Sequence, residues 1–155
     1  MEQHSEEQVA SFDISRKIAT LANIPEFHNC CEYFWIQDHR FEENPDRLKL
    51  IPNKLVPVYT MKADPESTLI FPAPTMAEVI KVLGMLFPKS TYSINCNFTT
   101  KGNNFQCSFK IAGEHNTITE ESDRKVVDSI AKVLLSIISD IKLKQEQEEL
   151  QPATP

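Results

Sequence analysis

Apolar and polar side chains alternate in the second half of this chain, and this alternation constrains the fold more than any other feature. It runs along Tyr92–Thr99 and again along Phe105–Ile111, with the turn-forming sequence Lys-Gly-Asn-Asn at 101–104 between them. A repeat of two residues is typical of a strand with one buried and one solvated face, so these segments predict an antiparallel hairpin. We expect a third short strand at His115–Ile118, after a turn at Gly113.

An amphipathic helix is predicted on each side of these strands. The first begins at Thr75, which stands three residues before Glu78 as in a capping box, and Pro88 ends it. Gly84 lowers the helix propensity inside it and predicts a close contact at that position. The second helix is predicted over Ser122–Leu143. Its apolar stripe consists of Val126, Val127, Ile130, Val133, Leu134, Ile137, Ile138 and Ile141.

The first half of the chain gives shorter patterns. Residues 1–10 are predicted to be a disordered tail because they are mainly polar. Apolar positions at helical spacing within 14–22 predict a short helix, which Pro25 ends. The segment Cys31–Ile36 is rich in aromatic residues and predicts a strand.

A proline-rich stretch follows. Six of the ten prolines lie in Arg40–Pro74, and each lacks a backbone donor, so long central strands are not expected there. We predict loops with one strand near Leu55–Met61, at a sheet edge because Pro57 interrupts it.

These elements together predict an α+β fold. An antiparallel sheet of three or more strands packs against two main helices, in the order α-β-β-β-α over residues 75–143, and an N-terminal helix and strand are added to it. We predict a single domain over residues 11–143, with 11–70 and 71–143 as candidate sub-lobes. Residues 144–155 are polar and are predicted to be a disordered tail.

The composition limits the classes of protein to consider. Of the 155 residues, 41% are hydrophobic and 25% are charged, as is usual for a globular domain, and the apolar runs are too short for a transmembrane helix. The formal net charge of −6 disfavours a general nucleic-acid binder, which needs a basic surface. Met1–Glu7 is polar and acidic, unlike a signal or transit peptide, so a cytoplasmic location is expected.

The four cysteines are expected to be reduced thiols in such a compartment. Cys30 and Cys31 are neighbours in the chain and therefore poorly placed to bond each other. Cys96 and Cys107 both fall on the apolar face of the predicted hairpin, where we expect them diagonal to each other rather than opposite. Their predicted role is that of small buried apolar side chains, and a redox role is the alternative.

One short segment holds the residue types that bind soft metal ions. His28, Cys30 and Cys31 lie close together in the sequence, with His39 further along. Their spacing matches no zinc signature, so we interpret the segment as a helix-to-strand turn with buried thiols and a solvent-facing histidine. No metal and no cofactor are predicted, and metal binding through these four residues is the weaker alternative.

The α-β-β-β-α order of residues 75–143 resembles the topology of the double-stranded RNA-binding domain. That family carries a K-K-x-A-K cluster at the start of its last helix, and Arg124 and Lys125 match its first two positions. Asp128 replaces the third lysine and further acids surround the site, which weakens the predicted phosphate binding. The resulting alternative function is nucleic-acid binding by Arg124, Lys125 and Lys132.

Catalysis has no support in the sequence. There is no G-x-S-x-G and no H-E-x-x-H motif, and Gly84, Gly102 and Gly113 form no glycine-rich phosphate loop. We therefore do not expect an enzyme and assign no catalytic residue.

The polar face of the hairpin is a candidate docking surface. Its side chains are Asn95, Asn97, Thr99, Gln106 and Ser108, with Lys110 as the one charged neighbour. A solvated face is the ordinary interpretation, and docking of a partner or of a second copy is the functional one. An exposed edge strand, or the apolar flank of the last helix near Ile137 and Ile141, also favours association with another chain.

The layout resembles a set of small phage and prophage proteins of Bacteroides-type bacteria that have no assigned function. The shared features are a short helix and a cysteine-plus-aromatic segment within Ile14–Trp35, the proline-rich approach Phe71–Thr75 to an amphipathic helix, and a strand series that ends in a long helix. The resemblance covers most of residues 11–141. It implies a phage or bacterial origin and carries over no functional residue. We accordingly expect a small, non-catalytic, cytoplasmic interaction protein of mobile-element origin.

Overall fold

The structure is a computed structural model, and it describes residues 7–22, 24–38, 48–62, 66, 68–99, 104–122 and 125–150. The elements formed by these residues give an α+β fold, as predicted. In chain order they are α1 (Phe12–Leu21), α2 (Pro25–Cys30), β1 (Tyr33–Asp38), β2 (Leu48–Pro52), a 3₁₀ turn (Asn53–Leu55), α3 (Val56–Lys62), β3 (Thr68–Pro72), α4 (Met76–Leu86), β4 (Tyr92–Thr99), β5 (Asn104–Ile111), β6 (Thr117–Ser122) and α5 (Val126–Leu150).

The strands form two antiparallel sheets of three strands each. The first sheet has the order β2-β1-β3, and Trp35 at its centre pairs with Leu50 on one side and Phe71 on the other. The second sheet has the order β4-β5-β6, so each strand pairs with the next strand in the chain. The hairpin predicted from the alternating side chains is confirmed as β4 and β5.

Most buried apolar side chains belong to one cluster that both sheets share. Helix α5 packs on β5 and β6, and Ile130 and Leu134 on this helix are fully buried. Helices α1 and α4 pack against α5, and Phe34 and Ile36 of the first sheet enter the same cluster. Burying a large apolar side chain contributes about 1.5–3 kcal/mol, so the stripe of α5 is a major stabilising element.

The opposite face of the first sheet is buried as well. Trp35 and Phe71 pack there with Val9 and Ala73, and Phe12 of α1 lies at their edge. A sheet covered on both faces needs apolar side chains at successive positions, which explains the continuous run Tyr-Phe-Trp-Ile in β1.

Two local predictions around α4 are confirmed. Thr75 Oγ1 accepts from the backbone N–H of Glu78 at 3.3 Å, and Glu78 Oε1 accepts from the N–H of Thr75 at 2.8 Å, which is a capping box. The close contact predicted at Gly84 is with Tyr92, because a Cβ atom at that glycine would lie 2.9 Å from the phenol oxygen.

The strand predicted near Leu55–Met61 is wrong, because Val56–Lys62 forms helix α3. Pro57 is the second residue of this helix, where the first-turn N–H groups have no partner within the helix and a missing N–H costs little. A proline was therefore evidence of a helix start at this point. Pro25 likewise begins α2 rather than only ending α1.

Three predicted boundaries differ from the structure. The last helix begins at Val126 and continues to Leu150, through most of the predicted tail 144–155. The polar residues at 144–149 are lysine, glutamine and glutamate, which favour helix, so polarity was mistaken for disorder. Strand β6 lies at Thr117–Ser122 rather than at His115–Ile118. Within the predicted tail 1–10, Val9 is fully buried and forms a bridge with Thr75.

Of the helices that the structure describes, none has the length and apolar character needed to cross a membrane.

Candidate functional site

The candidate site is the free edge of the second sheet, which β4 forms. Strand β4 is eight residues long and pairs with β5 on one side, while its other side has no strand neighbour among the described residues. Such an edge presents backbone donors and acceptors that an extended segment of another chain can satisfy.

The residues of β4 make this edge unusually open to pairing. Sheets normally protect their edges with proline, charged side chains or short strands. Of the four edge strands in the described part of the chain, β2 carries Lys49 and Pro52, β3 carries Pro72, and β6 carries Glu120 and Glu121. Strand β4 carries no charged residue, no proline and no glycine, and it is the longest of the four.

A disulfide ties this edge strand to the centre of its sheet. Cys96 of β4 lies directly opposite Cys107 of β5, with their Cα atoms 4.2 Å apart and their sulfur atoms bonded. The prediction of diagonal, reduced thiols is therefore wrong for this pair. In the structure Asn104 is already part of β5 and pairs with Thr99. The observed register differs by two residues from one that would place the two cysteines diagonally. A shift of two residues leaves every side chain on the same face of the sheet, so the alternation of side chains fits both registers. The alternation identified the face correctly but could not identify the partner.

The two faces of the second sheet differ in chemistry. On the face towards α5, Cys107 and Phe109 are buried, and Ser129 Oγ of α5 donates to the Cys107 sulfur at 3.0 Å. The other face carries the predicted polar side chains, among which Asn95 and Asn97 of β4 are exposed. The predicted candidate docking surface is thus brought together beside the free edge of β4.

Phe98 is a large apolar side chain of β4 that remains half exposed. Its exposed fraction is 50%, and its ring lies 5.0 Å from the ring of Phe105, centroid to centroid. Apolar area left in water at the end of an unpaired strand favours contact with another chain.

The predicted metal candidates are only partly brought together. Cys30 ends α2 and Cys31 follows it, while His28 is exposed on that helix with its ring 5.9 Å from the ring of Phe34. His39 lies outside the described residues. Among the residues that are described, no three histidine, cysteine or acidic side chains are grouped as a metal site would require.

Cys31 is a buried thiol held in its neutral form. Burial raises its pKa well above the usual range, and the nearby carboxylate of Glu78 and thiol of Cys30 act in the same direction. Glu78 Oε2 also accepts from the backbone N–H of Glu32 at 3.1 Å, so this carboxylate joins α4 to the start of β1. A thiol kept neutral is a poor nucleophile and a poor metal ligand.

The candidate nucleic-acid residues do not form a described basic surface. Lys132 donates to the backbone carbonyl of Glu121 at 2.7 Å and so joins α5 to β6. Lys125 precedes α5 and is partly buried, and Arg124 lies outside the described residues. Ser136 Oγ donates to Glu120 at 2.7 Å, which adds an acidic group to the same region.

The sequence did not predict a buried polar cluster that joins Ser11 to Asp128. Asp128 at the start of α5 is buried and accepts from the backbone N–H of Ser11 at 2.7 Å and from its hydroxyl at 2.5 Å. The neighbouring Ala10 carbonyl accepts from Trp35 Nε1 at 2.9 Å. This cluster is buried and anchors the N-terminal segment. In the sequence, Asp128 is visible only as an acidic residue in the first turn of a helix. Acidic residues are common there because they interact favourably with the helix dipole, so this position alone does not predict a contact with Ser11.

A concave surface lies between the ends of α1 and α4, the start of α2 and the middle of α5. It has a cavity volume of about 450 Å³, and its apolar lining includes Leu21 of α1, Met85 and Leu86 of α4, and Ile138 and Ile141 of α5. Its polar lining residues are of both signs, so nothing in its chemistry selects one class of ligand.

Comparison of the chain with protein-family models, with curated proteins and with solved structures gives no match in any of the three.

Proposed function

We propose that this chain is a small, non-catalytic interaction protein that binds an extended segment of another polypeptide along β4. The observation that carries the proposal is the edge itself: of the edge strands described, β4 alone lacks proline and charge. Backbone hydrogen bonds would supply affinity, and alternate side chains of the added strand would supply specificity.

Two features of the surrounding sheet support this role. The Cys96–Cys107 bond holds the edge strand on β5, so an added strand meets a fixed template. The exposed ring of Phe98 offers an apolar contact beside the backbone groups. The proposal assigns no catalytic residue and no cofactor.

The cellular setting is also part of the proposal. We propose that the protein comes from a bacterium that carries a phage or another mobile element. The support is the resemblance of residues 11–141 to small phage and prophage proteins.

A library of random extended peptides displayed on phage would test the binding role. The wild-type protein is expected to enrich peptides with alternating, uncharged sequences, because these can pair with β4 and match its two faces. Asn95→Lys should abolish the enrichment by placing a charge at the edge. Ser108→Lys is the matched control, since Ser108 lies opposite Asn95 on the central strand and shares its face.

Each outcome of this selection is decisive. Binding that is lost in Asn95→Lys and kept in Ser108→Lys supports docking at the edge. Equal loss in both variants would assign binding to the polar face instead, and enrichment of no peptide at a protein concentration where the chain is monomeric would overturn the proposed function.

A further inference from the structure

We propose that β4 of one chain pairs antiparallel with β4 of a second copy, so that the two second sheets join into one continuous six-stranded sheet. The two-fold axis would pass beside Cys96. This inference rests on the proposed function, because it takes β4 as the docking edge and names the partner as the same chain.

The backbone of β4 shows which groups are available at the free edge. The 4.2 Å separation of the Cys96 and Cys107 Cα atoms is typical of a pair that exchanges no backbone hydrogen bonds. Just before β4 begins, the carbonyl of Thr91 accepts from the N–H of Ala112, which follows β5, at 2.8 Å. Hydrogen-bonded and non-hydrogen-bonded pairs alternate along an antiparallel ladder, so the backbone groups at odd-numbered positions of β4 bond to β5. The N–H and C=O groups of Tyr92, Ile94, Cys96 and Phe98 therefore point to the free edge.

In a pairing centred on Cys96, the backbone groups at the free edge form hydrogen bonds with the corresponding groups of the second copy. Cys96 would face Cys96 of the second copy, and Ile94 would face Phe98 of the second copy on each side of the axis. These three opposed positions would exchange about six backbone hydrogen bonds. The same register keeps all apolar side chains on one face of the joined sheet, and it buries the exposed ring of Phe98 against an isoleucine.

The polar face is self-complementary in this register. Asn95 would lie opposite Asn97 of the second copy, in a pair whose side chains approach closely. An amide both donates and accepts hydrogen bonds, so two asparagines can satisfy each other without a charged partner. The polar face thus fits a second copy of the same strand.

Charge and proline together select β4 over the other described edges for self-association, since β2 and β6 carry charged side chains and β3 carries Pro72. Each chain carries a formal net charge of −6, so two copies repel each other at long range. Antiparallel self-pairing also brings like residues close to their own copies, and Glu120 and Glu121 would do so on β6. Strand β4 has no charged side chain to add to this repulsion.

The first test is the solution mass of the untagged, full-length protein by light scattering and sedimentation. A mass twice that of the 17.7 kDa chain is expected, and it should fall to the monomer value on dilution. The dimer is expected to be non-covalent, because the Cys96 sulfur is already bonded within its own chain. A wild-type protein that stays monomeric would overturn the inference, while the peptide selection would still test the proposed function separately.

Two double variants test the register. Asn95→Lys with Asn97→Lys places lysines opposite lysines across the axis and should weaken self-association roughly tenfold or more. Asn95→Lys with Asn97→Glu places each lysine opposite a glutamate of the second copy and should restore the dimer. Ser108→Lys is the control on the central strand and should leave the dimer unchanged.

Amide hydrogen exchange gives a second readout that does not depend on mutation. The amides of Ile94, Cys96 and Phe98 should exchange more slowly as protein concentration rises, while those at odd positions of β4 stay protected throughout. A dimer that survives in the double-lysine variant, or that leaves these three amides unprotected, would show that the copies associate elsewhere.

Discussion

The two sheets of this protein differ in how their faces are buried and in how their edge strands are protected. The first sheet is short-stranded and buried on both faces, with Trp35 packed on one side and Phe34 and Ile36 on the other. The second sheet is buried on one face and polar on the other, and it ends in the unprotected edge of β4. Protected edges favour a sheet that serves stability, and an unprotected edge favours a sheet that serves binding. The open edge of the second sheet is therefore the place where we propose that a partner binds.

The edges of the first sheet receive contacts from other parts of the chain. Lys49 Nζ on β2 donates to the hydroxyl of Tyr59 on α3 at 3.1 Å. Beyond β3, the backbone N–H of Ala10 donates to the carbonyl of Pro74 at 2.8 Å, and Val9 bridges Thr75. The N-terminal segment thus covers the chain just where β3 ends.

The largest expected effect tests whether both sheets depend on one core. Ile130→Asp places a charge at a fully buried position of α5 and should prevent folding, since burying an unpaired carboxylate costs several kcal/mol. Trp35 is the only tryptophan, so its fluorescence reports on the first sheet while the substitution lies against the second. Both fluorescence and circular dichroism should show an unfolded chain.

Ile141→Asp is the matched control, because Ile141 lies on the same helix and is 36% exposed. This variant should fold and melt close to the wild-type temperature. An Ile130→Asp protein that melts like the parent, or one that keeps a native Trp35 signal, would contradict the shared core.

The next effect concerns the contact between the N-terminal segment and α5. Asp128→Ala leaves the Ser11 N–H and hydroxyl without their acceptor and should lower the free energy of unfolding by about 3 kcal/mol. Ser11→Ala removes only the hydroxyl and should cost about 1 kcal/mol. Urea unfolding followed by Trp35 fluorescence measures both. Equal effects of the two substitutions would show that the backbone hydrogen bond adds nothing.

Reduction of the disulfide should act on the second sheet first. The bond joins residues 11 apart, and removing so short a loop constraint costs roughly 2–3 kcal/mol. Dithiothreitol should therefore lower the urea midpoint of the wild-type protein, and Cys30→Ser should show the same decrease because Cys30 is not bonded. If Trp35 fluorescence keeps its midpoint while circular dichroism shifts, the two sheets unfold separately and the shared-core interpretation must be revised.

The smallest effect is expected at the contact between α4 and β4. Gly84→Ala gains about 1 kcal/mol of helix propensity, but the new methyl group meets the Tyr92 hydroxyl. In a Tyr92→Phe background the hydroxyl is gone, so the same substitution should be more stabilising by about 1 kcal/mol. A thermal double-mutant cycle measures this difference. Additive effects would show that the helix shifts away from the strand without cost.

Sequence patterns predicted the parts of this protein that depend on neighbouring residues. The capping box at Thr75 and Glu78, the apolar stripe of α5 and the two faces of β4 and β5 all follow from local periodicity and local hydrogen bonding. The candidate polar surface could be found in the same way, because its residues alternate with buried ones along two adjacent strands.

Only the tertiary structure decided the features that join distant residues. Register between β4 and β5 is invisible to an alternation of period two, and so the Cys96–Cys107 bond was missed. The hydrogen bonds between Ser11 and Asp128 span 117 residues, and no local pattern encodes them. The open edge of β4 belongs to the same class. A strand is at an edge because no other strand lies beside it, and that depends on where the whole chain goes rather than on the eight residues of the strand.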